Sequence, residues 1–190
     1  NHSSEQQPLV IDINGDGYAD LVYAQGGTWR IALGNANGNF SAATDTGVSF
    51  GAQDDYAGLA MAIRIGHDNR QGLLAANYNA GADILNWAYL VFGTTNEQVT
   101  LDDTLGHKPL VVDFNGDGQE DFIFLKNDPN PTATLYLRNN TPWAAGNTLY
   151  TTQDVSSIYT SSSEMDFYGA LALDYDGDGL GDILAKKYSS

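Results

Sequence analysis

The chain has 190 residues, enough for one or two domains with a real core. It carries 24 Asp plus Glu against 8 Lys plus Arg, a net charge of −16, and no cysteine. The acidic balance disfavours nucleic acid and anionic membranes as partners; the missing thiols exclude disulfides, thiolate metal sites and a cysteine nucleophile; and no apolar run approaches the ~18 residues of a membrane-inserted helix.

Residues 1–7 (NHSSEQQ) are polar and read as a disordered tail or the remnant of a cut site, not as a signal peptide. From there short β-type apolar runs alternate with acidic loops. The first unit opens with PLVIDINGDGYADLVYA, and TWRIALG and AATDTGVSF supply a third and a fourth strand. A worn copy, MAIRIGHDNRQGLLAANY, puts Arg64 at the place of Asp12, Gly66 at that of Asn14, Asp68 at that of Asp16 and Gly72 at that of Asp20; NWAYLVFG is its third strand. Arg64 is either a residue of a decayed loop or a fixed cation paired with Asp68 in place of a metal. The third unit opens with PLVVDFNGDGQEDFIFL and continues through ATLYLRN and NTLYTTQ; the fourth is GALALDYDGDGLGDILA. About four antiparallel strands per unit of roughly 40–60 residues is the pattern of a β-propeller blade. The expected fold is therefore all-β, with blades starting near residues 8, 59, 109 and 169 in one propeller segment over 1–190. The last blade breaks off after its second strand, and its open edge invites pairing with further blades or with another chain.

Eleven of the 24 acidic residues lie in the three intact loops. Counting the first Asp as position 1, oxygen-bearing side chains fall at positions 1, 3, 5 and 9. These are Asp12, Asn14, Asp16 and Asp20; Asp113, Asn115, Asp117 and Asp121; and Asp174, Asp176, Asp178 and Asp182. Position 7 varies (Tyr18, Gln119, Leu180), as expected where the backbone carbonyl alone binds, and position 6 is always Gly, which supplies the positive φ of a sharp turn. An Asx-rich hairpin turn would use the same residue types, but three copies at identical spacing favour a hard cation. Ca²⁺ takes six to eight oxygens in irregular geometry more readily than Mg²⁺ does. The expectation is three structural Ca²⁺ ions and none at 64–72. The loop is not an EF-hand, because position 12 is Tyr23, Phe124 or Ala185 rather than Glu.

These loops, Asp-x-Asp/Asn-x-Asp-Gly-x-x-Asp followed by an apolar strand, resemble those of the FG-GAP/VCBS repeat family, the calcium-loop propellers of integrin α-subunit heads and many bacterial surface proteins. The Phe-Gly step is echoed at Phe50-Gly51 and at Phe167-Tyr168-Gly169. The stretch GGTWRIALGNANGNF is more weakly similar to bacterial toxin-complex and RHS-type repeats. The resemblance implies a non-catalytic recognition or scaffold module of an extracellular or cell-surface protein of bacterial origin, with a protein or glycan ligand. The alternative is an accessory propeller of a larger secreted enzyme or toxin-complex protein. No catalytic set stands out: there is no Gly-x-Ser-x-Gly, phosphate loop or His-Glu-x-x-His, and His2, His67 and His107 have no second imidazole nearby in sequence. Most Trp and Tyr are expected to pack blades; Trp143, in the turn-like NNTPWAAGN, is a candidate sugar-stacking residue.

Overall fold

A computed structural model describes residues 8–52, 59–64, 70–79, 84–93, 96–101, 109–126, 132–139, 150–158 and 165–187. These residues form fourteen strands in antiparallel sheets, so the fold is all-β with propeller-type blades. The chain divides into two compact units, Asn1–Thr104 and Leu105–Ser190.

The first unit holds two four-stranded meanders. One runs β1 (Leu9–Ile11), β2 (Asp20–Gln25), β3 (Thr28–Ala32) and β4 (Thr44–Asp45) in spatial as in chain order. The other runs β5 (Met61–Arg64), β6 (Gln71–Asn79), β7 (Ile84–Val91) and β8 (Glu97–Thr100). Gly26 and Gly27, both at positive φ, make the two-residue turn between β2 and β3, where Gln25 pairs with Thr28. Apolar residues at alternate positions face one core: Ile11, Val22 and Trp29 from the first sheet meet Leu73, Ala75, Ala88 and Leu90 from the second. Trp29 and Trp87 are buried, as blade-packing residues should be. The Trp29 indole Nε1 donates to the Phe50 carbonyl at 2.8 Å. Next to it, Gly51 sits at φ 67°, and a Cβ there would lie 2.6 Å from the Ala76 carbonyl oxygen. Only glycine meets both constraints, so the Phe50-Gly51 step pins the chain against β6.

The second unit holds one four-stranded meander and a ribbon. The meander is β9 (Leu110–Val112), β10 (Asp121–Lys126), β11 (Thr132–Arg138) and β12 (Tyr150–Asp154). The ribbon pairs β13 (Met165–Leu173), whose sequence contains Phe167-Tyr168-Gly169, with β14 (Asp182–Lys187). Ile123, Leu125 and Ala133 form the core, with Leu110, Phe114, Leu135 and Ile183 packed on it. The other face of the meander is aromatic: Phe122 stacks on Tyr136 at 4.7 Å and meets Phe124 edge-on at 5.7 Å. A Cβ at Gly181 would run into Val112, so the last acidic loop packs closely against β9.

Residues 1–7, Gly66, His67, Asp68, His107 and Trp143 lie outside the described residues, and with them the proposed Arg64–Asp68 pair and the sugar-stacking assignment.

Candidate metal centre

Each intact acidic loop joins the first two strands of its repeat, and all three fold the same way. The position-1 carboxylate is wrapped by the backbone of its own loop. Asp12 Oδ1 accepts from the N–H groups of Gly15 at 2.7 Å and Asp16 at 3.1 Å, and its Oδ2 from that of Gly17 at 2.9 Å. Asp113 repeats this with Gly116, Asp117 and Gly118 at 2.7, 3.1 and 2.7 Å. Asp174 repeats it with Gly177 and Gly179 at 2.7 and 3.0 Å. Such tight closure needs positive φ at position 4 as well as at position 6. Gly15, Gly116 and Gly177 supply it at 77°, 75° and 78°.

Positions 3 and 5 turn their oxygens back onto the loop. Asn14 Oδ1 accepts from the Asp16 N–H and Asp16 Oδ1 from the Tyr18 N–H, both at 2.9 Å. Asn115 and Asp117 do the same with Asp117 and Gln119 at 2.9 Å, and Asp176 and Asp178 with Asp178 and Leu180 at 3.2 and 2.8 Å. The position-7 residues Tyr18, Gln119 and Leu180 thus stand on the same turn as the side-chain donors.

Position 9 does more than the sequence indicates. Asp20 is 0% exposed and splits its carboxylate between two strands. Oδ2 accepts from the Ile13 N–H at 2.9 Å, and Oδ1 from the Gly34 N–H just past β3 at 2.8 Å. Asp121, also 0% exposed, accepts from Phe114 at 2.9 Å and from Arg138, at the end of β11, at 2.6 Å. Asp182 keeps the first bond, from Tyr175 at 3.0 Å, and is only half-buried. Burial pushes the Asp121 carboxyl above the usual carboxylate range; the N–H groups of Arg138 and Phe114 oppose the rise, and Asp117 and Asp113 add to it. A carboxyl raised in the folded state favours folding most when protonated. Its contribution is present below the unfolded value and is lost as pH rises through the folded one. A cation in the loop acts in the opposite direction.

Among the described residues, one group of three acidic side chains brings carboxylate oxygens within 4.8 Å of one another: Asp174, Asp176 and Asp182. The loops at Asp12 and Asp113 have Asn14 and Asn115 at the place of Asp176, an oxygen donor without the charge. The side-chain donors at these positions are all oxygen, the type that hard divalent cations prefer. In the worn repeat, Arg64 ends β5 opposite Gln71, and Gly72 is a buried residue of β6. Gln71 takes up a different task. Its Oε1 accepts from the Asp12 N–H at 2.9 Å and its own N–H donates to the Asp12 carbonyl at 2.9 Å, so the second sheet holds the start of the first loop.

Among the described residues no helix is long and apolar enough to cross a membrane. The FG-GAP-like repeat family model matches residues 12–70 and 113–185. No curated protein sequence matches the chain. The solved structure of an Agrocybe aegerita lectin, described by its specific recognition of non-reducing terminal N-acetylglucosamine, is similar with a TM-score of 0.61 at 17% identity. The match takes in 94% of this chain and 45% of the lectin chain, so this chain spans under half the lectin's length. With two matched segments covering most of its residues and both built on the acidic loops, the chain belongs to the FG-GAP-like repeat family.

Proposed function

We propose that this chain is a calcium-stabilised, non-catalytic recognition module of an extracellular or cell-surface protein. In this reading each intact loop holds one structural Ca²⁺. The observation that carries it is the threefold repetition of one loop conformation around the carboxylates of Asp12, Asp113 and Asp174. The ligands are the side-chain oxygens at positions 1, 3, 5 and 9 and the carbonyl at position 7. The cation neutralises carboxylates that otherwise repel one another beside the core.

For recognition, the likeness to a lectin supports a glycan or protein ligand, as does a cavity of about 380 Å³ in the first unit. Its wall combines apolar Ile31, Leu33 and Phe92 with polar Asp45, Arg70 and Asn96, the mixture expected of a small-ligand pocket. Ile13 and Asn14 of the first acidic loop also line it, so the state of that loop sets part of the pocket wall.

Calorimetric titration of metal-stripped protein tests the calcium reading. Three binding events are expected. The loop with four carboxylates, Asp174, Asp176, Asp178 and Asp182, should give the tightest, since affinity rises with ligand charge. Asp174→Ala should remove that event and leave the other two. Fewer than two events in the wild-type chain, or a tightest event untouched by Asp174→Ala, counts against the assignment.

A further inference from the structure

Within each unit, consecutive repeats touch at one equivalent place. Counting from the first residue of each loop, Gln71 is position 8 of the worn repeat and Gly181 is position 8 of the last. Each stands beside the position-1 residue of the repeat before it. The Gln71 N–H donates to the Asp12 carbonyl at 2.9 Å, and a Cβ at Gly181 would lie 2.9 Å from the Asp113 carbonyl oxygen. The repeat thus sets position 8 against the start of the preceding loop, and the residue type there decides what the contact does.

At Gly181 the place is filled by backbone alone, and Val112 leaves no room for a side chain. At Gln71 a side chain is present and is used. Its Oε1 accepts from the Asp12 N–H at 2.9 Å, so one residue of β6 holds both backbone polar groups of Asp12. Asp12 is in turn the residue around which its own loop closes, through Gly15, Asp16 and Gly17. Holding its backbone fixes the direction in which its carboxylate leaves the chain. The hold comes from a well-anchored element: β6 is paired on both sides, with β5 and β7, and Leu73, Leu74, Ala75 and Ala76 just beyond Gln71 are fully buried. The worn repeat itself has Arg64 and Gly72 at positions 1 and 9, where the intact loops have carboxylates.

We propose that Gln71 is a positioning residue for cation binding in loop 12–20, and that the worn repeat serves as a clamp on the metal loop of the repeat before it. This rests on the reading of loop 12–20 as a calcium site. In the empty loop the carboxylates of Asp12 and Asp16 repel each other, and the repulsion works to open the turn. Two hydrogen bonds from a buried strand oppose that opening at position 1. Part of the ordering that calcium binding requires is therefore in place beforehand, which raises affinity without adding a ligand. Glutamine suits the task, since its amide oxygen accepts the Asp12 N–H and its own backbone N–H reaches the Asp12 carbonyl. By reciprocity, a cation in the loop tightens the junction between Asp12 and the β5–β8 sheet.

The test titrates Ca²⁺ alone into the metal-stripped full chain, by calorimetry. Asp12→Ala identifies the event that belongs to loop 12–20, as the one it abolishes. Gln71→Ala, which removes the acceptor of the Asp12 N–H, should weaken that event about three- to tenfold and leave the other two unchanged. Gln71→Glu keeps an acceptor in place and adds a negative charge, so it should bind at least as tightly as the wild type. Hydrogen exchange of the Asp12 amide in the calcium-free protein should be faster in Gln71→Ala and slow in Gln71→Glu. If Asp12→Ala abolishes no event, loop 12–20 is not a calcium site and the clamp falls with that reading. If it abolishes one while Gln71→Ala leaves that event unchanged or weakens all three alike, the calcium reading stands and the clamp is overturned. A Gln71→Glu variant that binds as weakly as Gln71→Ala overturns it as well.

Discussion

Removing calcium with a chelator should lower the melting temperature by well over ten degrees, and millimolar Ca²⁺ should restore it. A ligand that binds the native state alone stabilises by about 2.7 kcal/mol per site at a hundredfold excess over Kd. Three filled loops then contribute about 8 kcal/mol, comparable with the whole net stability of about 5–15 kcal/mol of an ordinary domain. For a chain of this size each kcal/mol moves the midpoint by about 2–4 °C. The structure supplies the route from loop to fold. The position-1 carboxylates hold the backbone of the loops between first and second strands, and position 9 ties those loops to the third. Mg²⁺ should rescue poorly, because it demands a tighter octahedron than these irregular loops offer. Differential scanning calorimetry in chelator, Ca²⁺ and Mg²⁺ checks the expectation; identical melts in all three would defeat the structural-calcium reading.

Asp20→Ala and Asp121→Ala should each destabilise the calcium-free protein by about 3–5 kcal/mol. Each substitution leaves two backbone N–H groups without their acceptor, at about 1–3 kcal/mol apiece when buried. The groups are those of Ile13 and Gly34 in one case and of Phe114 and Arg138 in the other. Asn is not a safe replacement, since its amide nitrogen would face one of those donors. Asp182→Ala should cost clearly less in chelator, because that carboxylate is half-buried and accepts one backbone bond. Urea unfolding in chelator separates this structural role from metal binding. If the Asp121 and Asp182 variants lose equal stability there, the strand-tying role assigned to position 9 is wrong.

The acidic loops and the repeat were legible because the chemistry is local. Oxygen donors at fixed spacing and glycines in a turn declare themselves within nine residues, and the flanking alternation marks the strands they join. The third strand of every complete repeat was also visible, since TWRIALG, NWAYLVFG and ATLYLRN carry the β-type pattern. What escaped was long-range. Glu97–Thr100 is polar and pairs as a fourth strand only because β7 offers it an edge. Gln71 looks like any residue of a decayed loop, and its bonds to Asp12 span 59 positions. Asp20 and Asp121 read as metal ligands, and nothing in their spacing announces that Gly34 and Arg138 come to them. The positive φ at position 4 was hidden for another reason: two glycines stand in each loop, and EF-hand logic explains only the second.

The central claim is that each of three loops encloses a calcium ion, and an anomalous difference map from a calcium-grown crystal tests it most directly. The account predicts three peaks, one inside each of the loops 12–20, 113–121 and 174–182, each surrounded by the side-chain oxygens of positions 1, 3, 5 and 9, and none at 64–72. Loops without a peak in the presence of millimolar calcium, or peaks confined to places elsewhere on the surface, would contradict it.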